Sequence, residues 1–456
     1  MKIRIKSRLF WMLVIILAVG IWYAWPRLPI ITGYAAKNMC SGIFLSERTQ
    51  EQIEQQELNF FPINLARNVV DMENRSVTSS LLGLVKRTAV YREGLGSVLV
   101  IGYEEEILKN QTLTYDAILP EYPDTVPWPL GDRIVDTVPA GLDREKLAEV
   151  VNSIFDRPGE DLKKTYSAIV VYKGQLVAEQ YAEGVTEATR LVSWSMAKSV
   201  TNALVGIRVK EGGLVPDAPP GIPEWENDER SSITLDHLMR MNSGLEWDED
   251  YFDLSHVTKL LYMEPDMYAF AVESLLAYKP GTHWYYSSGS TNIICGLLRN
   301  SFGNDEAYHH FPRRALFNPT GMRSAVFETD PSGNFVGSSY IYATTRDWAR
   351  LGLLYLNNGV FAGDTLLPEG WVEYTCRPTE NSGGQYGALF WLNRSGEYPD
   401  VPEDMFFADG FKGQRIFILP SHDLVVVRMG YSSETVDFNR FLADILALLP
   451  DNSFCP

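Results

Sequence analysis

The sequence predicts an α+β fold, in which an N-terminal hairpin and C-terminal strands form an antiparallel sheet that is flanked by helices. Two β-rich runs, 166–172 and 175–181, are separated by the tight-turn pair Lys173-Gly174. Helical patterns fill the middle of the chain and form a mainly helical subdomain. Strand-like runs return near the C-terminus, at 386–392, 415–419 and 424–429, before a closing helix at 436–449.

The helices follow from apolar spacing and from end signals. A helix is predicted over 142–155, ahead of the hairpin, because Leu147, Val150, Val151 and Ile154 share one face. After the hairpin, Val200, Ala203, Leu204 and Ile207 predict a buried helix that ends at Gly212-Gly213. Later helices are predicted from the cap Thr234 to Ser243-Gly244, from about Thr291, and over 345–356.

Composition limits the possible functions. Of the 456 residues, 45% are hydrophobic, which is enough for a large core. The net charge is −18, and the sequence has no run of lysine and arginine with interleaved aromatic residues. We therefore do not expect this protein to bind nucleic acids. The predicted organisation is an N-terminal membrane anchor at 1–30, an extension at 31–140 and a main domain at 141–450. The sequence does not indicate an oligomeric state.

The N-terminus carries a membrane-targeting pattern. Lys2, Arg4, Lys6 and Arg8 precede an uninterrupted apolar run at 9–25, which is long enough to span a bilayer. The basic flank is expected to stay in the cytoplasm, so the rest of the chain lies outside it. A cleaved signal peptide is the alternative, but Gly33-Tyr34-Ala35 is a poor cleavage site. The charge asymmetry disfavours a buried core helix.

The extension at 31–140 has mixed patterns. A strand-like run at 97–102 and a helical stretch near Gln50 favour a small subdomain, either over the mouth of the active site or as packing support. The prolines at its end predict an extended connection along the surface of the main domain: Pro120, Pro123, Pro127 and Pro129.

Cysteines and histidines give little support for a metal site. Cys40, Cys295, Cys376 and Cys455 lack metal-ligand spacing, and no His-x-x-x-His pair is present. In an exported protein the four cysteines can form up to two disulfides, whereas Cys295 fits a core thiol. We therefore expect neither a metal nor an organic cofactor.

The main candidate for chemistry is Ser195-Met196-Ala197-Lys198, at the start of a predicted helix. A serine hydroxyl needs a proton acceptor to act as a nucleophile. Residues three apart on a helix share a face, so Lys198 can lie over Ser195. Helix-start N–H groups can stabilise an oxyanion. Because serine and lysine are common, a surface helix turn is the preferred interpretation of this motif when it is taken alone.

Two loops are further candidates. Residues 280–289 lead from a turn into a helix, and Tyr286 there can pass protons if a nearby lysine favours its phenolate and lowers its pKa. The acidic and aromatic loop at 247–251, which ends at Tyr251, either lines a cleft or is a solvated loop. The solvated interpretation is slightly preferred.

Taken in order, these blocks resemble the serine β-lactamase-like hydrolases, a superfamily that includes class C β-lactamases, penicillin-binding proteins, esterases and 6-aminohexanoate-dimer hydrolase. The resemblance covers roughly residues 141–450. It rests on Ser195 to Lys198, on 233–245, on the Pro280-Gly281-Thr282 loop through Tyr286, and on the late helix that begins at Arg346.

The resemblance implies roles for individual residues. Ser195 is the expected acylated nucleophile, and Lys198 and Tyr286 share general-base duty, although the adjacent Tyr285 is an alternative. The superfamily's Lys-Thr-Gly or His-Thr-Gly strand falls on Ala408-Asp409-Gly410. The oxyanion is then held by the backbone N–H groups of Ser195 and of a residue just after Gly410, such as Phe411.

Two departures narrow the expected chemistry. Ala408 and Asp409 offer no cation for a β-lactam carboxylate, and Ser288 replaces the asparagine often found two residues after the tyrosine. Both favour an esterase or amidase near the 6-aminohexanoate-dimer hydrolase branch. The pair Gly413-Gln414 also resembles residues of that branch. Tyr251 and Ser288 are expected to contact the substrate along with Asp409.

The predicted protein is therefore an acyl-enzyme serine hydrolase that acts on small esters or amides, tethered to the inner membrane with its main domain in the periplasm. A penicillin-recognising D-alanyl peptidase or weak β-lactamase is the nearest alternative. A non-catalytic binding module on the same fold is the alternative of another class.

Overall fold

A computed structural model describes residues 2–114, 125–135, 139–432 and 434–450, with side chains for residues 10–16 and from residue 18 onward. Its strands are β1 (Arg67–Asp71), β2 (Ser76–Leu81), β3 (Val85–Arg92), β4 (Gly96–Leu99), β5 (Thr165–Tyr172), β6 (Gln175–Tyr181), β7 (Leu191–Val192), β8 (Val326–Phe327), β9 (Ile341–Ala343), β10 (Val360–Phe361), β11 (Asp364–Thr365), β12 (Trp391–Leu392), β13 (Phe406–Gly410), β14 (Gln414–Leu419) and β15 (Leu424–Gly430).

The α-helices are α1 (Lys2–Ala24), α2 (Leu28–Phe44), α3 (Gln50–Gln55), α4 (Glu105–Lys109), α5 (Arg144–Asn152), α6 (Ala197–Lys210), α7 (Leu235–Met239), α8 (His256–Tyr262), α9 (Met267–Val272), α10 (Ser288–Asn300), α11 (Asp305–Pro312), α12 (Thr345–Leu356), α13 (Trp371–Cys376) and α14 (Phe438–Leu446). Short 3₁₀ turns join several of them, including Trp194–Met196 directly before α6.

The main sheet joins the two ends of the hydrolase region. Its six strands run in the order β12-β13-β14-β15-β5-β6, and every neighbouring pair is antiparallel. The predicted sheet of an N-terminal hairpin and C-terminal strands is confirmed. All side chains of β5, β14 and β15 are buried, so both faces of the sheet are covered. α12 packs on one face, while α5 and α14 cover the other.

A second sheet of four antiparallel strands, β1 to β4, packs against α2. The helix is buried from Ile31 to Gly42, and it carries a lysine, Lys37, that forms a buried ion pair with Glu328 next to β8. Glu328 also accepts hydrogen bonds from the Ser41 hydroxyl (2.9 Å) and the Ser97 N–H (2.6 Å). The extension thus forms part of the protein's core, and the predicted boundary at residue 30 falls within α2.

The run from Phe10 to Phe44 contains a stretch long and apolar enough to cross a membrane, and none of that stretch is buried in the protein. A single helix of this kind near the N-terminus also fits a signal sequence. The apolar side chains of α1 from Phe10 onward are largely exposed.

One predicted strand is shorter in the structure than the sequence suggests. Of the predicted strand at 386–392, only Trp391 and Leu392 belong to a strand, because Tyr386 makes an isolated bridge to Trp391 instead.

Cys295 is a buried thiol in α10 as expected, and the three described cysteines are unpaired, whereas Cys455 lies outside the described residues. Pro120 and Pro123 also lie outside them.

The surface connection at 125–132 is held by the late helix. Arg350 on α12 donates hydrogen bonds to the carbonyls of Pro129 (2.7 Å) and Gly131 (2.8 Å), and it pairs with the buried carboxylate of Asp347 (2.7 Å). The late helix that the sequence analysis identified therefore supports the scaffold through Arg350.

Candidate active site

Ser195 lies in a strained turn between β7 and α6. Trp194, which precedes it, has a φ of 44°, a backbone conformation that a bulky residue rarely adopts. Packing holds it there, because the indole stacks on Tyr34 with ring centroids 6.0 Å apart and meets Phe411 edge-on at 5.6 Å. The turn leaves Ser195 at 9% exposure, directly before the buried helix α6.

Lys198 contacts Ser195 directly. Its Nζ lies 3.0 Å from the Ser195 Oγ, 3.1 Å from the Ser288 Oγ and 3.1 Å from the Ser338 carbonyl oxygen. Burial lowers the pKa of Lys198 to about 8, while Glu249 and Asp409 act in the opposite direction. The lysine is thus positioned to exchange a proton with Ser195 near neutral pH.

Glu249 completes this cluster, and the sequence did not predict it. Its carboxylate accepts hydrogen bonds from the Ser288 hydroxyl (2.5 Å), the Ser288 N–H (2.9 Å) and the Tyr251 hydroxyl (2.8 Å), and also from the Trp247 indole. Three adjacent acids occupy this loop, and only the tertiary structure selects the middle one. The interpretation of 247–251 as a solvated loop holds for the exposed Asp248 and Asp250, but Glu249 and Tyr251 are half-buried and belong to the site.

Tyr286 lies on the other side of the lysine. The Lys198 Nζ sits 4.6 Å from the centroid of the Tyr286 ring, and Ser195 lies close enough to the phenol to act on its pKa in the lowering direction. Burial raises the pKa of Tyr286 well above its ordinary value. The expectation of a lowered phenol pKa is thus corrected, because the loss of solvent is the largest influence and raises the pKa. Tyr285 is 44% exposed.

The tyrosine loop is positioned by the segment after α7. The Asn242 carbonyl accepts a hydrogen bond from the Gly281 N–H (2.8 Å), and the Met241 carbonyl accepts one from the Tyr285 N–H (2.9 Å). The chain then enters α10, whose cap Ser287 accepts from the Ser290 N–H (3.0 Å). These bonds place Tyr286 and Ser288 beside Lys198.

Strand β13 ends against the nucleophile turn. A Cβ at Gly410 would lie 2.2 Å from the Ser193 carbonyl oxygen, so only glycine permits this approach. Asp409 forms an ion pair with Arg415, and burial raises its pKa to about 6. Phe411, the next residue after Gly410, stacks on Tyr251 with ring centroids 5.1 Å apart.

Aromatic rings enclose the polar cluster on two sides. Tyr286 packs with Trp391 (5.3 Å between ring centroids) and Tyr386 (5.8 Å) on one side. Tyr251, Phe411 and Trp194 form the other side. All eight residues predicted for the site are therefore found in this region, and Glu249 joins them.

The antiparallel sheet, the helical subdomain and the serine at the start of α6 define a β-lactamase-like α+β fold. The β-lactamase family model matches residues 157–448, which is more than half of the chain. The chain belongs to the β-lactamase family.

Individual relatives agree with this assignment at low identity. The 6-aminohexanoate-dimer hydrolase of Paenarthrobacter ureafaciens is 24% identical over 293 residues, which is 58% of this chain and 71% of the relative. A family VIII carboxylesterase has a TM-score of 0.55 and 15% identity over 70% of this chain and 100% of the esterase. A penicillin-binding protein homologue from Caulobacter crescentus has a TM-score of 0.50 and 16% identity, with coverages of 70% and 100%. These two structures share the fold.

Proposed function

We propose that this protein is a membrane-tethered serine hydrolase that cleaves esters or amides of small molecules through an acyl-enzyme on Ser195. The observation that carries the proposal is the buried Lys198 Nζ, 3.0 Å from the Ser195 Oγ and with a pKa lowered to about 8. A lysine of this kind is neutral in a substantial fraction of molecules near pH 8, so it can accept the serine proton.

In the proposed acylation step, the Ser195 Oγ attacks the substrate carbonyl and Lys198 takes the hydroxyl proton. The backbone N–H groups of Ser195 and Phe411 hold the oxyanion. The bond between the carbonyl carbon and the leaving group then breaks. The leaving group receives a proton through Tyr286, whose raised pKa keeps the phenol protonated. Lys198 replaces the proton that Tyr286 gives up.

Water completes the cycle. It attacks the acyl-enzyme carbonyl, and its proton passes to Lys198 and Tyr286. The bond between the carbonyl carbon and the Ser195 Oγ then breaks, and this pair returns a proton to the Ser195 oxygen. The net reaction consumes one water and releases an acid and an alcohol or amine. Ser288 and Glu249 position Lys198, while Tyr251 and Asp409 border the substrate.

The proposed location is the inner membrane, with one span and the hydrolase domain in the periplasm. The apolar run at 9–25 and its four basic flanking residues support this orientation. Protease treatment of spheroplasts provides the test, because the hydrolase domain should be degraded without lysis of the cell. Protection until lysis would contradict the orientation.

The chemistry is tested with an activated ester and a fluorophosphonate probe on the full chain in detergent. Wild type should hydrolyse the ester and become labelled, whereas Ser195→Ala should do neither. The exposed serine in Ser231→Ala provides the matched control and should behave as wild type. Labelling that survives in Ser195→Ala would contradict the assignment.

A fluorescent penicillin tests the nearest alternative. We expect poor capture, since Ala408 is uncharged and Arg415, the nearby cation, is paired with Asp409. Efficient covalent capture at Ser195 would instead favour a penicillin-recognising enzyme. A well-folded protein that is inert to all acyl probes would favour a binding module.

A further inference from the structure

A cavity of about 410 Å³ lies directly behind the aromatic wall of the candidate site. Its inner wall includes Trp194, Tyr251 and Phe411, the residues that flank Ser195 on one side. Its size falls within the range of small-molecule pockets. The cavity thus shares a wall of three aromatic residues with the candidate site.

The lining is almost entirely apolar. The charged side chains that line it, Arg27 and Asp253, are paired with each other at 2.7 Å between Nε and Oδ1. Elsewhere the wall consists of aliphatic and aromatic side chains such as Ile31 and Phe60. Transfer of an apolar chain from water into such a cavity is favourable. A polar chain would lose its hydrogen bonds to water there and would find few partners in exchange.

The outer wall comes from the end of the proposed membrane helix. Ala24 at the end of α1 and Leu28 at the start of α2 both line the cavity. Three exposed aromatic residues from three separate segments surround its mouth: Tyr23 (54% exposed), Phe61 (77%) and Phe252 (72%). Aromatic side chains are enriched where a protein meets the membrane interface.

We infer that this cavity binds the apolar chain of an acyl substrate, whose carbonyl lies at Ser195 while the chain extends past Tyr251 and Phe411. The inference rests on the proposed function, and it assigns the substrate class as esters or amides of chain-bearing, amphiphilic acids. The chain reaches the cavity either from the bilayer or from an amphiphile in solution.

The test measures kcat/KM of the full chain in detergent for p-nitrophenyl acetate, butyrate, octanoate and dodecanoate. Each methylene group that enters the cavity should raise kcat/KM by about fourfold until the cavity is filled. Ala24→Trp should fill the cavity, keep the acetate rate and lose at least about tenfold on the long chains. Ala18→Trp, on the same helix but outside the cavity lining, should match wild type.

A flat chain-length profile, or equal behaviour of Ala24→Trp and Ala18→Trp, would overturn the inference while leaving the hydrolase assignment intact. If wild type hydrolyses no ester at all, the proposed function fails instead. Binding then still tests the cavity, because a fluorescent dansyl-undecanoate should bind to Ser195→Ala and lose affinity in the double variant with Ala24→Trp. Absent or unchanged binding would overturn the inference.

The source of the chain is distinguished with one substrate. The dodecanoyl ester is offered either as a dilute monomer or within phosphatidylcholine vesicles that carry the reconstituted protein. Faster turnover of the vesicle-held ester identifies the bilayer as the source, and turnover of the monomer alone identifies a soluble amphiphile. Turnover in neither arm, by a protein that hydrolyses p-nitrophenyl acetate, contradicts the inference.

Discussion

Glu249 accepts hydrogen bonds from both the side-chain hydroxyl and the backbone N–H of Ser288, at 2.5 and 2.9 Å. Ser288 in turn contacts the Lys198 amine at 3.1 Å, so a carboxylate is connected to the proposed general base through one serine. The negative charge raises the pKa of Lys198 against the effect of burial.

Glu249→Gln should therefore shift the pH dependence of kcat/KM. Without the carboxylate, the pKa of Lys198 falls, and the lysine becomes a free base at lower pH. The acidic limb of the profile should move to lower pH by up to about 1 unit. The neighbouring Asp250→Asn, on an exposed side chain, should leave the limb in place. A limb that stays fixed or moves upward in Glu249→Gln would contradict the coupling.

The wild-type profile should itself report Lys198. Activity is expected to rise through about pH 8 and level off above it, because only the neutral amine accepts the Ser195 proton. Lys198→Arg should lower kcat/KM by about 10²- to 10⁴-fold, since arginine stays protonated. Lys210→Arg, at the exposed end of the same helix, should retain activity. A fully active Lys198→Arg enzyme would exclude Lys198 as the base.

Tyr286 and Tyr285 form a natural pair of variants. Tyr286→Phe removes the hydroxyl of a half-buried tyrosine whose ring lies against Lys198, and kcat should fall by about 10²- to 10⁴-fold. Tyr285→Phe alters a ring that is 44% exposed and should change kcat little. Pre-steady-state kinetics separate the leaving-group step from binding. The opposite ranking of the two variants would assign the proton transfer to Tyr285.

The extension should be needed for stability. Glu328→Ala leaves the Lys37 ammonium, whose side chain is 5% exposed, buried without its partner. The free energy of unfolding should fall by about 3–5 kcal/mol, as measured by chemical denaturation of the full chain in detergent. Lys146→Ala removes an exposed pair with Asp143 and should leave unfolding unchanged within error. Equal stability of both variants would mean that the extension only rests against the domain.

Much of the fold follows from local pattern. The 345–356 helix was predicted with the bounds that the structure has, because its apolar face and its end signals at Asn358-Gly359 are both strong. The 175–181 strand was predicted equally well, since a tight turn fixes its start. The 386–392 strand was wrong beyond its last two residues, because aromatic residues there pack around Tyr286.

The sequence by itself indicated the family-level fold, because several motif blocks resemble the family in the right order. It also predicted the pairing of Ser195 with Lys198 and the region that holds Tyr286, because these depend on short spacings within one helix or loop. Only the tertiary structure decided that Glu249 joins the cluster, that burial raises the pKa of Tyr286, and that α2 forms one wall of an apolar cavity beside the serine. Those properties depend on desolvation and on contacts between distant segments, such as Tyr34 with Trp194, which a local pattern does not encode.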